Sequence, residues 1–573
     1  MAADAHPADH HAANAHAAAA HAAAEQTAAD LLVRCLEREG VTVVFGIPGE
    51  ENIRLTDALA RSPTIRYVLV RHEQAASFMA EIYGRLTGKA GVCSATLGPG
   101  AINLLLGVAD ATTNSSPLVA LSAQVGLNRI YKESHQSVSL VSMFAPVTKW
   151  ADVVLTPGSV PEMVRKAFKL AQTERPGAVY LAVPEDVEAA PVPPTLTPLN
   201  VNIPRPDEPS RSQIERAAAV LNTATRPIVL AGHGAARAGA AGALRRFAER
   251  LGLPVATTFH AKGVFPDDHP NALGAVGFMQ HDYVNFGFDE ADVIVSVGYE
   301  LQEFDPAKIN PGRDKRILHL SRFPAEVDAS YDVEVGVQAD IGATLDAVAA
   351  ATTGRWRPGE SGEKIRALLA AELGNGAADD SFPVKPQRIV SDTRAALARD
   401  DIVLADTGAV KMWMARLYPA YEPNTCLTSN GLSAMSFGVP GAIGAKLAAP
   451  DRRVLAAVGD GAFLMNSQEI ETALRERVPL TVLIWQDDAY GLISWKMDME
   501  IGHEVETGFT NPDFVAYAES FGARGYRVTR AGDLLPMLTE ALAADTVSVI
   551  TCPVDYTENL RLTETLGDLS GPF

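Results

Sequence analysis

The sequence predicts an α/β protein built from three doubly wound parallel-sheet domains. Three observations predict it. Short apolar runs of strand length alternate with longer stretches of helical period, the pattern of a parallel sheet covered by helices. Two segments of altered composition cut that alternation into three lengths, and 573 residues accommodate roughly three domains of ordinary size. The 45 glycines supply the many tight turns that such a fold needs between strand and helix.

Residues 1–25 are rich in Ala and His, with His6, His10, His11, His16 and His21 and neither Lys nor Arg. A signal or transit peptide needs basic residues, so the segment is read as a disordered tail outside the fold, with metal scavenging as the alternative. The first domain, 26–190, opens with a helix from Thr27. Its strands include Val41-Thr42-Val43-Val44-Phe45-Gly46, Arg66–Val70 and Val179–Pro184. Seven of the nineteen residues from Pro191 to Pro209 are proline, which makes 191–210 a stiff linker. The central domain, 211–353, carries strands near Ile228–Leu230, Val293–Val295 and Ile317–Leu320. Residues 354–385, rich in Gly, Asp, Glu and Pro, read as a second linker. The third domain with its C-terminal tail, 386–573, completes the chain. No short-period repeat is visible.

The composition is 47% hydrophobic and 21% charged, as in ordinary globular proteins, and the formal net charge of −20 argues against nucleic-acid or anionic-membrane partners. Cys35, Cys93, Cys426 and Cys552 are far apart and lack metal-ligand spacing, so reduced thiols in a cytoplasmic protein are expected. No apolar run reaches the ~18–20 residues that span a bilayer.

The chemistry concentrates in the third domain. Val454–Val458 and Leu480–Trp485 are apolar strands, each followed by an acidic turn: Gly459-Asp460-Gly461 and Gln486-Asp487-Asp488-Ala489-Tyr490. The 26 residues between Asp460 and Asp487 hold one helical stretch, with Asn466 and Glu469 spaced as a capping box and Ile470, Ala473 and Leu474 on one face. Both carboxylates therefore stand at the same ends of neighbouring parallel strands, where α/β proteins bind ligands. Alone, Gly-Asp-Gly is an ordinary tight turn. Paired with the second acidic turn, it offers oxygen ligands to a hard divalent ion such as Mg²⁺, which in turn holds a phosphate ester.

These two turns resemble the cofactor motif of thiamine-diphosphate enzymes, and the three-domain order resembles the decarboxylase and acetolactate synthase superfamily from about residue 27 to the C-terminus. The resemblance labels the domains pyrimidine-binding, central and diphosphate-binding. It implies thiamine diphosphate and Mg²⁺, with Asp460, Asp487 and the Ala489 carbonyl as metal ligands. The usual second ligand is Asn, although some catabolic acetolactate synthases carry Asp there too. The cofactor-binding set implied is Gly49, Glu73, Gly408, Ala409, Gly431, Ser433, Met435, Gly459, Asp460, Gly461, Ala462, Asp487, Ala489, Tyr490 and Gly491. A homodimer or homotetramer follows, because in the family the cofactor sits between the first domain of one subunit and the third of another.

By the same resemblance, Glu73 in Val70-Arg71-His72-Glu73-Gln74 hydrogen-bonds N1′ of the aminopyrimidine, a relay that needs a carboxylate held in a mostly dry cleft. Phe45-Gly46-Ile47-Pro48-Gly49 and Gly88-Lys89 flank it as in the family. Met435, in Ser429-Asn430-Gly431-Leu432-Ser433-Ala434-Met435, takes the place of the apolar wedge that bends the cofactor. Asp406-Thr407-Gly408-Ala409 ends another strand, and its amides could cradle the diphosphate as helix N-termini do. Thr96–Gly100, Ala123-Gln124-Val125 and Ser134-His135-Gln136-Ser137 look like catabolic acetolactate synthase. There Gln124 and Gln136 would contact substrate, and His135 would act directly or serve the structure. Simple pyruvate decarboxylases carry a His-His pair near this point. FAD is not expected: Gly298–Pro306 is similar to the catabolic enzymes, FAD-binding ones show a Phe-Asp-Asp-Arg run, and Gly232-His233-Gly234 is a poor dinucleotide fingerprint. The tail Cys552–Asn559 also looks catabolic. Lys496 stands where the family has a substrate-selecting Trp or Gln, and could hold a substrate carboxylate.

The reading that follows is a transferase that decarboxylates pyruvate and adds the hydroxyethyl unit to a second 2-keto acid, giving 2-acetolactate. A related carboligase or decarboxylase and an inactive homologue acting as a binding subunit are the alternatives.

Overall fold

The computed structural model describes residues 26–203, 205–279, 281–357 and 360–567. The Ala/His-rich segment 1–25, expected as a tail, lies outside the described residues. Three six-stranded sheets, each wholly parallel, organise the chain. It divides into two compact units, 1–204 and 205–573, with the boundary inside the proline-rich 191–210 segment.

The first unit holds β1 (Val43–Gly46), β2 (Arg66–Leu69), β3 (Gly91–Ala95), β4 (Leu118–Gln124), β5 (Trp150–Val153) and β6 (Ala178–Pro184) in the order β2-β1-β3-β4-β6-β5. Every residue of the inner strands β3, β4 and β6 is buried, whereas the edge strands β2 and β5 are partly open. Continuous apolar runs therefore mark inner parallel strands, which are covered on both faces. The first helix, Ala28–Glu39, begins where the sequence places it. Thr27 and Asp30 form a reciprocal cap, Gly40 closes the helix at φ 84°, and Leu31, Leu32, Cys35 and Leu36 face the core. Replacing fully buried Leu36 by Ala would cost about 2–5 kcal/mol.

The second unit contains two sheets. One comprises β7 (Pro227–Ala231), β8 (Val255–Thr258), β9 (Ala272–Val276), β10 (Val293–Val297), β11 (Arg316–Ser321) and β12 (Val333–Gln338), ordered β12-β11-β10-β7-β8-β9. This is the dinucleotide-fold order, with its reversal between β7 and β10. The other comprises β13 (Ile402–Ala405), β14 (Cys426–Thr428), β15 (Val454–Gly459), β16 (Thr481–Gln486), β17 (Arg524–Arg527) and β18 (Ser548–Pro553), ordered β14-β13-β15-β16-β18-β17. Its winding repeats that of the first unit, and its reversal lies between β13 and β15.

Two sequence readings change here. The stretch 354–385, expected as a linker, carries an 18-residue helix, Glu360–Ala377, whose Ile365, Leu369 and Leu373 pack into the cores of this unit. Between Asp460 and Asp487 the helix starts earlier than the proposed Asn466–Glu469 cap. Asp460–Asn466 and Glu469–Arg475 are two short helices, and neither side chain serves as a cap. Asn466 Nδ2 instead donates to Ser436, at 2.8 Å to Oγ and 3.1 Å to the carbonyl, while buried Glu469 accepts from Thr472. All four cysteines are buried, and none of them is in a disulfide.

The helix Ala409–Leu417, which follows β13, is anchored at its far end. Buried Arg416 donates twice to Asp282, at 2.6 and 3.1 Å, and at 2.7 Å to Glu372. Both partners lie outside the third sheet, so the ion pair joins elements distant in sequence.

Candidate functional site

The carboxyl ends of β13, β15 and β16 meet at one open cleft with about 540 Å³ of space. The strand reversal between β13 and β15 opens it, because their following helices leave in opposite directions. Three helices point their N-termini at it: Ala409–Leu417, Asp460–Asn466 and Gly491–Ile501. None of the three has a side-chain cap. First-turn N–H groups of the helices Ala409–Leu417 and Gly491–Ile501 can therefore meet an anion, whereas in Asp460–Asn466 that of Gly461 is taken by the Asp460 carboxylate. Gly408 (φ 139°) adopts a backbone closed to other residues, and a Cβ there would meet only open space.

Asp460 is almost wholly buried. Its Oδ1 accepts the Gly461 N–H at 2.8 Å, and its Oδ2 accepts the N–H groups of Asp487 at 3.2 Å and Asp488 at 2.7 Å. The left-handed conformation of Asp488 (φ 56°), which Asp tolerates, belongs to this turn. Burial raises the Asp460 carboxyl against the lowering effect of these donors. Burial, then the charge of Asp460, pushes the Asp487 carboxyl well above the usual carboxylate range. A Cβ at Gly491 would strike the Asp487 carboxylate, so glycine lets that side chain lie against the helix start.

Asn511 completes the cluster, its Nδ2 donating at 2.8 Å to Asp460 Oδ2 and at 2.7 Å to Asp488 Oδ1. Its own Oδ1 is buried without a partner, as is the Thr407 hydroxyl on the cleft wall. Two mutually repelling carboxylates, an orphaned amide oxygen and three uncapped helix ends fit a divalent cation carrying an anion. Among the described residues no group of three or more His, Cys, Asp or Glu could hold a metal. Asp460, Asp487 and the Ala489 carbonyl would be a partial set, which phosphate oxygens would complete.

The loop Ser429–Gly438 closes one side of the cleft with Met435 and is held from several directions. Buried Asp406 accepts the Ser436 and Gly438 N–H groups, both at 3.0 Å, and that of Thr407 at 2.7 Å. Burial nevertheless raises its carboxyl to about 7. Buried Lys411 donates to Ser433 Oγ at 2.9 Å and to the Ser429 carbonyl at 3.3 Å. Asn430 donates to the Glu303 carbonyl at 2.8 Å. Ser433 and Ser436 sit at φ 56° and 72°, conformations that these bonds sustain.

Of the residues singled out from sequence, Gly408, Ala409, Met435, Gly459, Asp460, Gly461, Ala462, Asp487, Ala489, Tyr490 and Gly491 line this cleft. Gly431 and Ser433 stand beside it on the Met435 loop. Lys496 is exposed further along the helix that begins at Gly491 and does not line the cleft. Reading the sequence missed the lining residues Val410 and Tyr556, and it missed Asn511. Tyr556 could have been found three residues beyond the end of β18, the strand beside β16. Asn511 lies in irregular chain and carried no such signal.

In the first unit, Glu73 is buried at the start of the helix Glu73–Thr87 and accepts a hydrogen bond from Asn103 at 3.0 Å. Gly100 approaches so closely that a Cβ there would lie 3.1 Å from Glu73 Oε1, and one at Gly98 would lie 2.6 Å from the Gln136 carbonyl. The Gly98–Gly100 turn is thus flanked by Gln136 and Glu73. Gly49 sits against Thr96 in the neighbouring turn and donates to Asn52 at 2.6 Å. Gln124 is buried and bonds the next backbone N–H at 2.9 Å, while the His135 and Gln136 side chains are exposed.

In the central sheet, the helix His233–Arg237 that follows β7 meets a carboxylate of the protein itself at its start. Both oxygens of Glu303 accept the His233 N–H at 3.0 Å, and Thr258 donates to the same carboxylate. Arg237 pairs with neighbouring Glu300 at 2.5 Å.

Three family models match the chain: the N-terminal thiamine pyrophosphate binding domain over residues 26–143, the central domain over 214–348 and the C-terminal thiamine pyrophosphate binding domain over 406–552. Among curated relatives, the chain is 34% identical to the probable acetolactate synthase large subunit of Methanocaldococcus jannaschii, over 95% of this chain and 94% of that protein. It is 34% identical to the acetolactate synthase of Bacillus subtilis (93% and 94% covered) and to the catabolic acetolactate synthase of Raoultella terrigena (93% and 95%). Among the described residues no helix is long and apolar enough to cross a membrane. With two acidic turns facing uncapped helix ends and all three domains matched, the chain belongs to the thiamine pyrophosphate enzymes, as a member of the acetolactate synthase type.

Proposed function

We propose that this enzyme decarboxylates pyruvate and joins the remaining two-carbon fragment to a second 2-keto acid, forming 2-acetolactate. The observation carrying this reading is the cleft where three uncapped helix N-termini face Asp460 and Asp487. Mg²⁺ would be held there by both carboxylates and the Ala489 carbonyl, and the diphosphate would lie against the Gly408 and Gly459 turns. When bound, thiamine diphosphate supplies an electron sink for decarboxylation.

The chain's residues do the rest. Glu73 holds a proton at N1′ of the pyrimidine, and Asn103 orients its carboxylate. Met435 would pack against the cofactor from a loop tied to Asp406 and Lys411. Gln124 and Gln136 contact substrate. Exposed apolar side chains, among them Ile53, Ile102 and Leu106 in the first unit and Leu432, Leu464 and Ile493 in the second, favour a homodimer or homotetramer. FAD is not expected, because the Glu303 carboxylate meets the helix start where a dinucleotide would present its pyrophosphate.

The test is product analysis with thiamine diphosphate, Mg²⁺ and pyruvate. Acetolactate is the expected product. Acetaldehyde without acetolactate would replace this reading by a simple decarboxylase, and failure to bind the cofactor in calorimetry would replace it by an inactive homologue.

A further inference from the structure

The second unit contains another cleft, with about 820 Å³ of open space. Its walls come from β9, the helix Glu360–Ala377 and the chain leaving the helix Ala409–Leu417. Leu273, Leu369, Leu373 and Tyr421 make much of it apolar. Charged residues also line it, and their pairing decides what it can hold. Buried Lys262 pairs with Asp267 at 3.4 Å, and Asp267 also accepts the Ala420 N–H at 2.9 Å. Asp268 pairs with Arg399 at 2.7 Å. Arg416 is neutralised by Asp282 and Glu372. Arg366 is the exception: its guanidinium faces no carboxylate among the described residues, and its Nη1 is buried without an acceptor.

A half-buried guanidinium with an unpaired nitrogen is costly unless an acceptor meets it. The acidic side chains that line the cleft are already engaged, so an anion entering it would meet Arg366 without competition. The apolar walls select what carries it. We propose that this cleft is a binding site for a small organic acid, whose carboxylate pairs with Arg366 and whose apolar body lies between Leu369, Leu373 and Tyr421. A bidentate pair between guanidinium and carboxylate supplies orientation, and the apolar walls supply the remaining affinity. This assignment stands apart from the cofactor cleft, with which it shares no lining residue.

Benzoate is a suitable probe, with benzyl alcohol as its uncharged counterpart, titrated by calorimetry into the enzyme saturated with thiamine diphosphate and Mg²⁺ so that the cofactor cleft is filled. Benzoate should bind once per chain and more tightly than benzyl alcohol. Arg366→Met keeps the apolar stem and should weaken benzoate binding about ten-fold or more, the loss expected for a charged hydrogen bond. Ala370→Trp, at an exposed position on the cleft wall, should block binding by filling the space. Absence of benzoate binding, equal affinity for benzyl alcohol, or unchanged benzoate affinity in either folded variant would overturn the assignment.

Discussion

Asn511 clamps Asp460 from 51 residues away, donating from one amide nitrogen to Asp460 Oδ2 at 2.8 Å and to Asp488 Oδ1 at 2.7 Å. The two acidic turns are thus tied by a side chain from neither. Groups that orient metal ligands typically change metal affinity 10–100-fold when removed, as a rough guide. Asn511→Ala should therefore weaken Mg²⁺-dependent cofactor binding by about that factor with little loss of fold. Cofactor titrations at several Mg²⁺ concentrations measure it, and an unchanged metal dependence would refute the role.

Glu73→Gln keeps the size of the side chain and removes its charge. Turnover should fall by roughly 10²–10⁴-fold, the usual contribution of a positioned acid or base. Cofactor affinity should change little. Steady-state rates beside cofactor binding separate the two effects, and full activity would contradict the proton-holding assignment.

Asp406→Asn replaces one of the two oxygens that accept Ser436, Gly438 and Thr407 N–H groups by a donor. One buried N–H then loses its acceptor, at about 1–3 kcal/mol. The melting temperature should drop and cofactor affinity should weaken together, because the same loop carries Met435. A drop in stability with unaltered cofactor binding would mean that the loop tolerates the loss.

Glu188 predicts a pH dependence. It is buried in the first unit, its Oε2 accepts the Leu55 N–H at 3.1 Å and its Oε1 has no partner. Burial pushes its carboxyl up to about 8, from an ordinary 4.5. The folded state then binds the proton more tightly than the unfolded chain. Stability contributed by this group is full below the unfolded value and falls as pH rises toward about 8, with a slope of at most about 1.4 kcal/mol per pH unit. Glu188→Gln should flatten that decline in denaturant titrations from pH 5 upward. An identical decline in the variant would place its origin elsewhere.

The sheets were legible because buried parallel strands write themselves as apolar runs, as at Ala178–Pro184 and Thr481–Gln486. The cleft-lining residues of the second unit were legible because they sit at strand ends. The helix Glu360–Ala377 was hidden by Gly362, Gly374 and Gly376, although Ile365, Leu369 and Leu373 recur every four residues and form a readable seam. Asn466 was misread because its amide answers Ser436, distant in sequence, rather than its own helix. Asn511 escaped notice for a related reason: its partners are chosen by chain folding, not by spacing.

The nine-residue helix Ala409–Leu417 extends about 13 Å, with its opening turn at the cofactor cleft and Arg416 riveted to Asp282 and Glu372 near the other end. It behaves as a strut whose footing is an ion pair. Loosening that footing would let the opening turn drift without any residue there being altered, so distant substitutions at Asp282 or Glu372 would register first as poor retention of the coenzyme.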